Sequence, residues 1–390
     1  MVDFLIKRYI KNYEDVHDPE VRNAYGKLCG IVGIGFNIIL FIGKLVAGLI
    51  SSSISAIADA VNNLSDAGSS LISYLGFRLA GQKPDPEHPF GHGRYEYISG
   101  LIVSMVIVVM GVELFRTSIN KIINPSPISF NVLSFLIMIF SLIIKLYMAF
   151  YNTRIGKRIN SYTVKATALD SLTDCIATSF VVISMVVEIK TGIRVDGFCG
   201  LIVAGMIVFA GIKSAKATIS PLLGQPADAE FVNSVEKIVR SNDMILGIHD
   251  LVVHDYGPGR KMISLHAEVP ASGDILEMHD LIDNIEHELD NKLSCHSVIH
   301  MDPIDKDNVV VQRLRILVEN VVKGIDPSFT IHDFRVVSGP THSNLLFDVV
   351  VPFNHQMSDS EIKNAIQDKV QEENPQLVTV IQIDKSFCEQ

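Results

Sequence analysis

Cysteine is sparse in this chain, and basic residues are outnumbered. Five cysteines (Cys29, Cys175, Cys199, Cys295, Cys388) are scattered through 390 residues. They form no C-x-x-C pair and no framework spacing, which excludes a disulfide scaffold and fits a reducing compartment, with Cys295 and Cys388 as free thiols. Lys and Arg total 33 against 43 Asp and Glu, a net charge of −10, which argues against nucleic acid as a partner. Residues 1–27 are charged and lack both a long apolar core and a small-residue cleavage site, so no signal peptide is expected there. Nothing in the pattern suggests catalysis on a covalent substrate. The chain is not expected to be an enzyme, and no prosthetic group is implied.

The apolar residues are concentrated in one half. Mean hydropathy is +0.31, yet the long apolar segments end near Leu223, after which charge and strand-like alternation take over. Six spans can be read at roughly the 20-residue length that a bilayer needs: 28–50, 54–79, 98–118, 128–151, 164–189 and 195–214. The second and fifth are the least apolar, and each carries a polar motif, Asn62-x-x-x-Asp66 and Asp170-x-x-x-Asp174. Residues four apart share one helix face. Each pair therefore aims its oxygens one way, and two facing pairs would make a four-oxygen cage. A charged Asp near the bilayer centre costs roughly 2.5–3.5 kcal/mol on insertion scales. Three acids at that depth point to a cation pathway lined by shielded helices. Asp59 precedes Asn62 on much the same face, where it serves either the vestibule or local hydrogen bonding. Lys44 and Lys145, inside the first and fourth spans, are expected to snorkel or to pair with a carboxylate in the bundle.

Basic residues set the expected orientation. Lys7, Arg8, Lys11, Arg22, Lys27, Arg78, Lys83, Arg94, Arg154, Lys157, Arg158 and Lys165 fall on one side, against Arg116, Lys121, Lys190 and Arg194 on the other. Both termini and the polar half should then face the cytoplasm.

That polar half reads as a duplicated module. Helix, strand, strand, helix and strand are expected at 231–241, 248–256, 261–269, 275–289 and 297–301. The same order recurs at 309–322, 330–337, 344–351, 359–370 and 379–383, a spacing of roughly 82 residues. Ile248-His249-Asp250 matches Ile331-His332-Asp333, Gly257-Pro258 matches Gly339-Pro340, and Val269-Pro270 matches Val351-Pro352. The first copy carries His249, His266, His279, His300 and Asp302. The corresponding positions of the second are His332, Asp348, Glu361, Gln382 and Asp384. Imidazole suits Zn²⁺ and other borderline cations, so the first copy either binds metal or displays surface histidines; the second has lost most of that set and reads as structural. In the loop at 84–96, Asp85, His88 and His92 are either a metal site or hydrogen-bonding partners in a rigid connector rich in Pro and Gly.

These stretches together resemble the cation diffusion facilitator family over roughly residues 20–305. "AIADAVNNLSD" and "KATALDSLTD" are similar to its paired metal motifs, "PDPEHPFGHGRYE" to its His/Gly loop, and "IHDLVVHDYGPG", "LHAEVP" and "VIHMDP" to its cytoplasmic domain. The resemblance implies a homodimeric, proton-coupled exporter of divalent metals. Its fold would be a membrane all-α six-helix transmembrane bundle, followed here by two tandem cytoplasmic α+β (ferredoxin-like, metallochaperone-like) domains. The implied parts are a cytoplasmic tail at 1–27, the transmembrane domain at 28–220, the metal-binding module at 221–305 and a degenerate repeat at 306–390. The implied site residues are Asn62, Asp66, Asp170 and Asp174 for transport, Asp85, His88 and His92 for the loop, and His249, His266, His279, His300 and Asp302 for the cytoplasmic domain. The second module is a departure that the resemblance leaves without a role.

Zinc-carrying members of that family place a histidine in the fifth-span motif; here Asp170 and Asn62 make the quartet all oxygen. Oxygen donors narrow the advantage of Zn²⁺ and serve Mn²⁺ well, and the quartet resembles the manganese-exporting branch, so Mn²⁺ is expected first. Fe²⁺ follows, with Zn²⁺, Co²⁺ and Cd²⁺ behind. The expected setting is the plasma membrane, with lipid, protons and metal ions as partners. Two other readings are a membrane-anchored metal sensor or scaffold without transport, which would not need ligands deep in two spans, and a monovalent cation/proton antiporter, which would leave the histidines unused.

Overall fold

The computed structural model describes residues 2–16, 18–50, 54–124, 132–191, 195–305, 308–339, 341–352 and 355–385. Cys388 lies outside them, as does the side chain of Asp59. The chain divides into two compact units, Met1–Gln225 with Asp255–Arg260, and Pro226–His254 with Lys261–Gln390.

The first unit is helical. A short α1 (Val2–Tyr9) precedes six long helices, α2 (Pro19–Ile50), α3 (Ile54–Ala80), α4 (Tyr95–Ile123), α5 (Val132–Arg158), α6 (Tyr162–Thr191) and α7 (Asp196–Leu223). Among the described residues, five stretches are long and apolar enough to cross a bilayer: Pro19–Val46, Tyr95–Ile123, Phe135–Arg158, Tyr162–Ser184 and Gly197–Leu223. The expected sixth, α3, has the length but not the apolarity, because it carries Asn62, Asn63, Ser65, Asp66, Ser69, Ser70 and Ser73. Burial explains why such a helix is tolerated: Asn63, Asp66, Ser69, Ser70 and Ser73 are all turned into the bundle. Ser73 and Thr167 join α3 to α6 through a 2.8 Å hydroxyl contact, and Asn37 donates from α2 to Ser70 at 3.3 Å. Where lipid is no poorer a solvent for apolar side chains than the bundle, such contacts and close packing hold helices together.

Close packing is explicit between α4 and α7. A Cβ on Gly111 would come within 3.1 Å of the Val208 backbone nitrogen, and one on Gly211 within 3.2 Å of that of Val108. The absence of side chains at these two positions lets the backbones approach. The sequence reading also misses a feature at the amino terminus. Instead of forming a plain tail, α1 and the residue after it bury Val2, Ile6 and Ile10 against Tyr25, Tyr151 and Ile155. Arg22 of α2 then forms a two-pronged ion pair with Glu96 of α4, one prong at 2.8 Å, and donates to the Ile159 carbonyl at 2.8 Å.

The second unit contains the two α+β modules, with element boundaries within a few residues of those expected from alternation. The first comprises α8 (Ala229–Val239), β1 (Gly247–Asp255), β2 (Lys261–Pro270), α9 (Ile275–Leu293) and β3 (Cys295–Ile304); the second comprises α10 (Val309–Lys323), β4 (Thr330–Ser338), β5 (Ser343–Val350), α11 (Asp359–Glu373) and β6 (Leu377–Asp384). The sheets run β1-β2-β3 and β4-β5-β6, with the last pair parallel in each. Among the described residues each is thus a three-stranded αββαβ unit, without the leading strand of a ferredoxin-like βαββαβ module.

Periodicity seals one face of each sheet. Met278, Ile282, Ile285 and Leu289 recur at helical spacing on α9 and pack on Ile263, Leu265, Ala267 and Val269, alternate residues of β2. Ile362, Ile366 and Val370 of α11 do the same against Leu345, Phe347 and Val349 of β5. At about 1.5–3 kcal/mol for each fully buried aliphatic side chain, these stripes are the main adhesive of each module. Helix α11 starts in a full capping box, with the Ser358 and Glu361 side chains each satisfying the other's backbone N–H. Replacing Ser358 by Ala is expected to cost about 1 kcal/mol of stability in the second module. Urea unfolding followed by hydrogen exchange of the α11 amides measures this; unchanged protection there would show that the cap contributes nothing.

Candidate metal centres

The buried acids of α3 and α6 converge on one ammonium group. Lys145 of α5 donates to Asp66 Oδ2 at 2.7 Å and to Asp174 Oδ2 at 2.6 Å. Asp66, Asp170 and Lys145 are each under one-twentieth exposed, and the Asp174 side chain is nearly as enclosed. The four-residue spacing puts Asp170 and Asp174 on one face of α6, and α5 lies against that helix, so Lys145 reaches both motifs. This is the carboxylate partner that the sequence reading allowed for Lys145. Asn62, one turn before Asp66, is exposed. The structure therefore gathers two carboxylates around the Lys145 ammonium, buries Asp170 nearby, and leaves Asn62 outside that buried cluster. One oxygen each of Asp66 and Asp170 is buried without a hydrogen bond, so the pocket retains acceptor capacity.

A second group forms in the α3–α4 loop. His88 Nδ1 and His92 Nε2 lie 3.4 and 3.3 Å from opposite oxygens of Asp85, and the two rings are 4.6 Å apart. His92 is buried, with its Nδ1 3.2 Å from the Lys83 carbonyl, which leaves Nε2 facing Asp85. Backbone donors shape the turn: the His88 N–H donates to Asp85 at 2.7 Å, and this bond chiefly holds the exposed Asp85 carboxyl below its usual range. The loop packs on the turn at Asp255–Arg260 in the same unit. Gly257, at a φ of 114°, lies so near Gly93 that a Cβ on it would meet the Gly93 backbone at 2.4 Å. Arg94 donates to the Asp255 carbonyl at 2.7 Å, and Arg260 to that of Gln82 at 2.6 Å.

In the first α+β module, strand alternation separates core from chemistry. Odd-numbered residues of β2 face the helices, so His266 and Glu268 stand on the open face, in register with His300 and Asp302 of β3. His249, His266 and Asp302 offer ligand atoms within 4.8 Å of one another. His266 Nδ1 is 2.8 Å from Asp302 Oδ2; His249 Nε2 is 3.0 Å away, but without hydrogen-bond geometry. Burial first, and the neighbouring His332 ring next, lower the His249 pKa and keep the ring neutral, the form that ligates metal. His300 lies at the edge, 3.4 Å from Asp302 and well exposed. His279 is apart from this cluster. As part of α9 it lines a surface cavity of about 260 Å³ with Asp283, Glu286 and His300. Of the five expected residues the structure thus gathers three, sets His300 at the edge of the group and leaves His279 on α9 outside it. The sequence reading also misses Asp250, whose place in the repeated Ile-His-Asp was the available signal.

An apolar helical unit with acids buried around the Lys145 ammonium, followed by an α+β module that gathers potential metal ligands, fits a membrane protein that handles metal ions. The sequence comparisons agree. Residues 30–223 match the cation efflux transmembrane domain and residues 227–304 the cation efflux protein cytoplasmic domain. The chain belongs to the cation efflux, or cation diffusion facilitator, family. It is 30% identical to an uncharacterized transporter of Methanocaldococcus jannaschii over 70% of this chain and 97% of that one. It is 26% identical to the cation-efflux pump FieF of Escherichia coli over 73% and 95%, and 24% identical to that of Pectobacterium carotovorum over 71% and 92%. It is therefore a multi-pass membrane protein of a family of cation efflux transporters.

Proposed function

We propose that this chain exports Mn²⁺ from the cytoplasm in exchange for protons, through a site built on Asn62, Asp66, Asp170 and Asp174. The observation that carries the reading is the Lys145 ammonium held between Asp66 and Asp174: carboxylates of two different helices already enclose a positive charge at the heart of the helical unit. A divalent cation has the same attraction for these oxygens and a greater charge. Three carboxylates in a low-dielectric interior repel one another, and either metal or protons relieve the repulsion. The two ligands therefore compete, which is the condition for exchange.

In this reading α3 is the sixth span, shielded from lipid by its neighbours. Two chains form a homodimer in the plasma membrane, with both termini cytoplasmic, and the bundle rocks around the site to face each side in turn. The tail at 1–27, the spans at 28–220 and the modules at 221–305 and 306–390 are its parts. Asp85, His88 and His92 would form a loop site for the cation, and His249, His266 and Asp302 a cytoplasmic one, with His300 and His279 nearby. Manganese comes first because the transport donors are all oxygen, and coordination geometry rather than raw affinity sets selectivity among these metals.

The test is flux in reconstituted vesicles with Mn²⁺, Fe²⁺, Zn²⁺, Co²⁺ and Cd²⁺ at equal concentration under a fixed proton gradient. Mn²⁺ is expected to move fastest, and collapse of the gradient to slow it. Asp170→His adds a nitrogen donor and removes a charge, so it should shift the preference toward Zn²⁺. A wild type that already prefers Zn²⁺ defeats the oxygen-donor argument. Metal binding without flux would favour a sensor instead.

A further inference from the structure

The second α+β module lies beyond both matched family domains, the later of which ends at residue 304, and the transport reading gives it no task. Its sheet also has one sealed and one open face. Leu345, Phe347 and Val349 of β5 face the helices, so Asp348 takes the open side. Strand register sets His332 of β4 and Gln382 of β6 beside Asp348, with Asp384 one step along the same face. These are the positions that His249, His266, His300 and Asp302 hold in the first module.

The two open faces meet within this unit. His249 and His332, equivalent by the repeat, stack with ring centroids 4.5 Å apart and planes at 27°. Contact between equivalent residues is the mark of a two-fold interface; here the pseudo-two-fold relates two halves of one chain. His332, Asp348 and Asp384 offer ligand atoms within 4.8 Å of one another, and so do His249, Asp250 and His332.

His332 is only 7% exposed, and neither of its ring nitrogens forms a hydrogen bond. Asp384 Oδ2 is likewise buried without a hydrogen bond. Leaving such groups unpaired is costly. Asp250 Oδ1 and Asp384 Oδ2 stand 3.6 and 3.5 Å from His332 Nε2. Two ligands held at ~2.1 Å by a tetrahedral ion lie roughly 3.4 Å apart.

The copies also differ in a way that frees a ligand. Asp250 and Asp333 share a left-handed backbone, each at a φ of 51°. Asp333 is tied to Arg335 at 2.6 Å, whereas the first copy has Val252 at the corresponding position, so Asp250 is free to reach His332 of the other module.

We propose that His332, Asp348 and Asp384 form a second divalent-cation site, and that with His249, His266 and Asp302 it makes a two-ion centre across the interface of the two modules, Asp250 reaching over from the first. One nitrogen and two carboxylates suit Mn²⁺ or Zn²⁺. The second module is thereby a metal-dependent partner of the first within one chain. This inference does not depend on the transport reading.

The test uses the full chain in detergent, carrying Asp66→Ala so that the helical site does not confuse the count. After chelation it is titrated calorimetrically with Zn²⁺ alone, then with Mn²⁺ alone. Adding Asp348→Asn with Asp384→Asn is expected to remove one equivalent and leave those of the first module and of the Asp85, His88 and His92 loop. An unchanged count in a folded variant overturns the proposal. Hydrogen exchange on the unsubstituted chain guards against a variant that fails to fold. Zn²⁺ should slow exchange in β4, β5 and β6 as well as in β1, β2 and β3; slowing confined to the first module also overturns it.

Discussion

Vesicles containing the Asp66→Ala variant are expected to show no metal flux above that of protein-free vesicles, while the protein still inserts and keeps its helical content. Asp66 is the acid of α3 that faces the buried cluster, and its Oδ2 is one of two oxygens on Lys145. Removing it leaves α3 with only the neutral, exposed Asn62, so a cation would be held by the acids of α6 alone. A site held by one helix cannot be opened and closed by movement of that helix against its neighbour, so transport should fail more completely than binding. The fold should survive, because the substitution removes a costly buried charge and leaves Lys145 paired with Asp174 at 2.6 Å. Asn62→Ala, at an exposed position, should have a smaller effect. Flux near the wild-type rate in Asp66→Ala would remove this cluster from the pathway.

Lys145→Met should separate affinity from turnover. Lys145 pairs with both Asp66 and Asp174, so in the proposed site a metal ion would have to displace the ammonium. Without it the acids lose their internal counter-ion, and breaking a buried pair in this way costs about 3–5 kcal/mol. The metal-free variant should therefore melt well below the wild type, and Mn²⁺ should recover more of that loss than it adds to the wild type. Transport should saturate at lower Mn²⁺ but run more slowly, since no tethered cation competes for the carboxylates on release. A lower KM with a lower maximal rate is the expected pair of changes. An unchanged KM would mean that Lys145 only braces α5 against α3 and α6.

Much of this protein is legible from local pattern. The 3.6-residue and two-residue periods place nearly every helix and strand, since both depend on neighbours in sequence. The motifs Asn62-x-x-x-Asp66 and Asp170-x-x-x-Asp174 stand out because acids in apolar helices are costly. The duplication shows because turn residues recur with the same order of elements. The ligand types on the open sheet faces follow from alternation once the apolar face is known.

Contacts between distant segments follow different rules. No local period says that Lys145 of α5 lies between acids of α3 and α6, or that Val2 and Ile6 close over Tyr25. His279 looks like a ligand by type, yet α9 sets it outside the His249, His266 and Asp302 group, in a cavity along the edge strand that it shares with His300. The second module read alone has lost most of its histidines. What remains acquires meaning when the sheets meet, because His332 completes two ligand groups from different modules. The sequence determines which elements form and which faces are polar, through short-range periodicity and the cost of burying charge. Only the tertiary structure decides which polar faces meet, because that choice rests on packing between residues far apart in the chain.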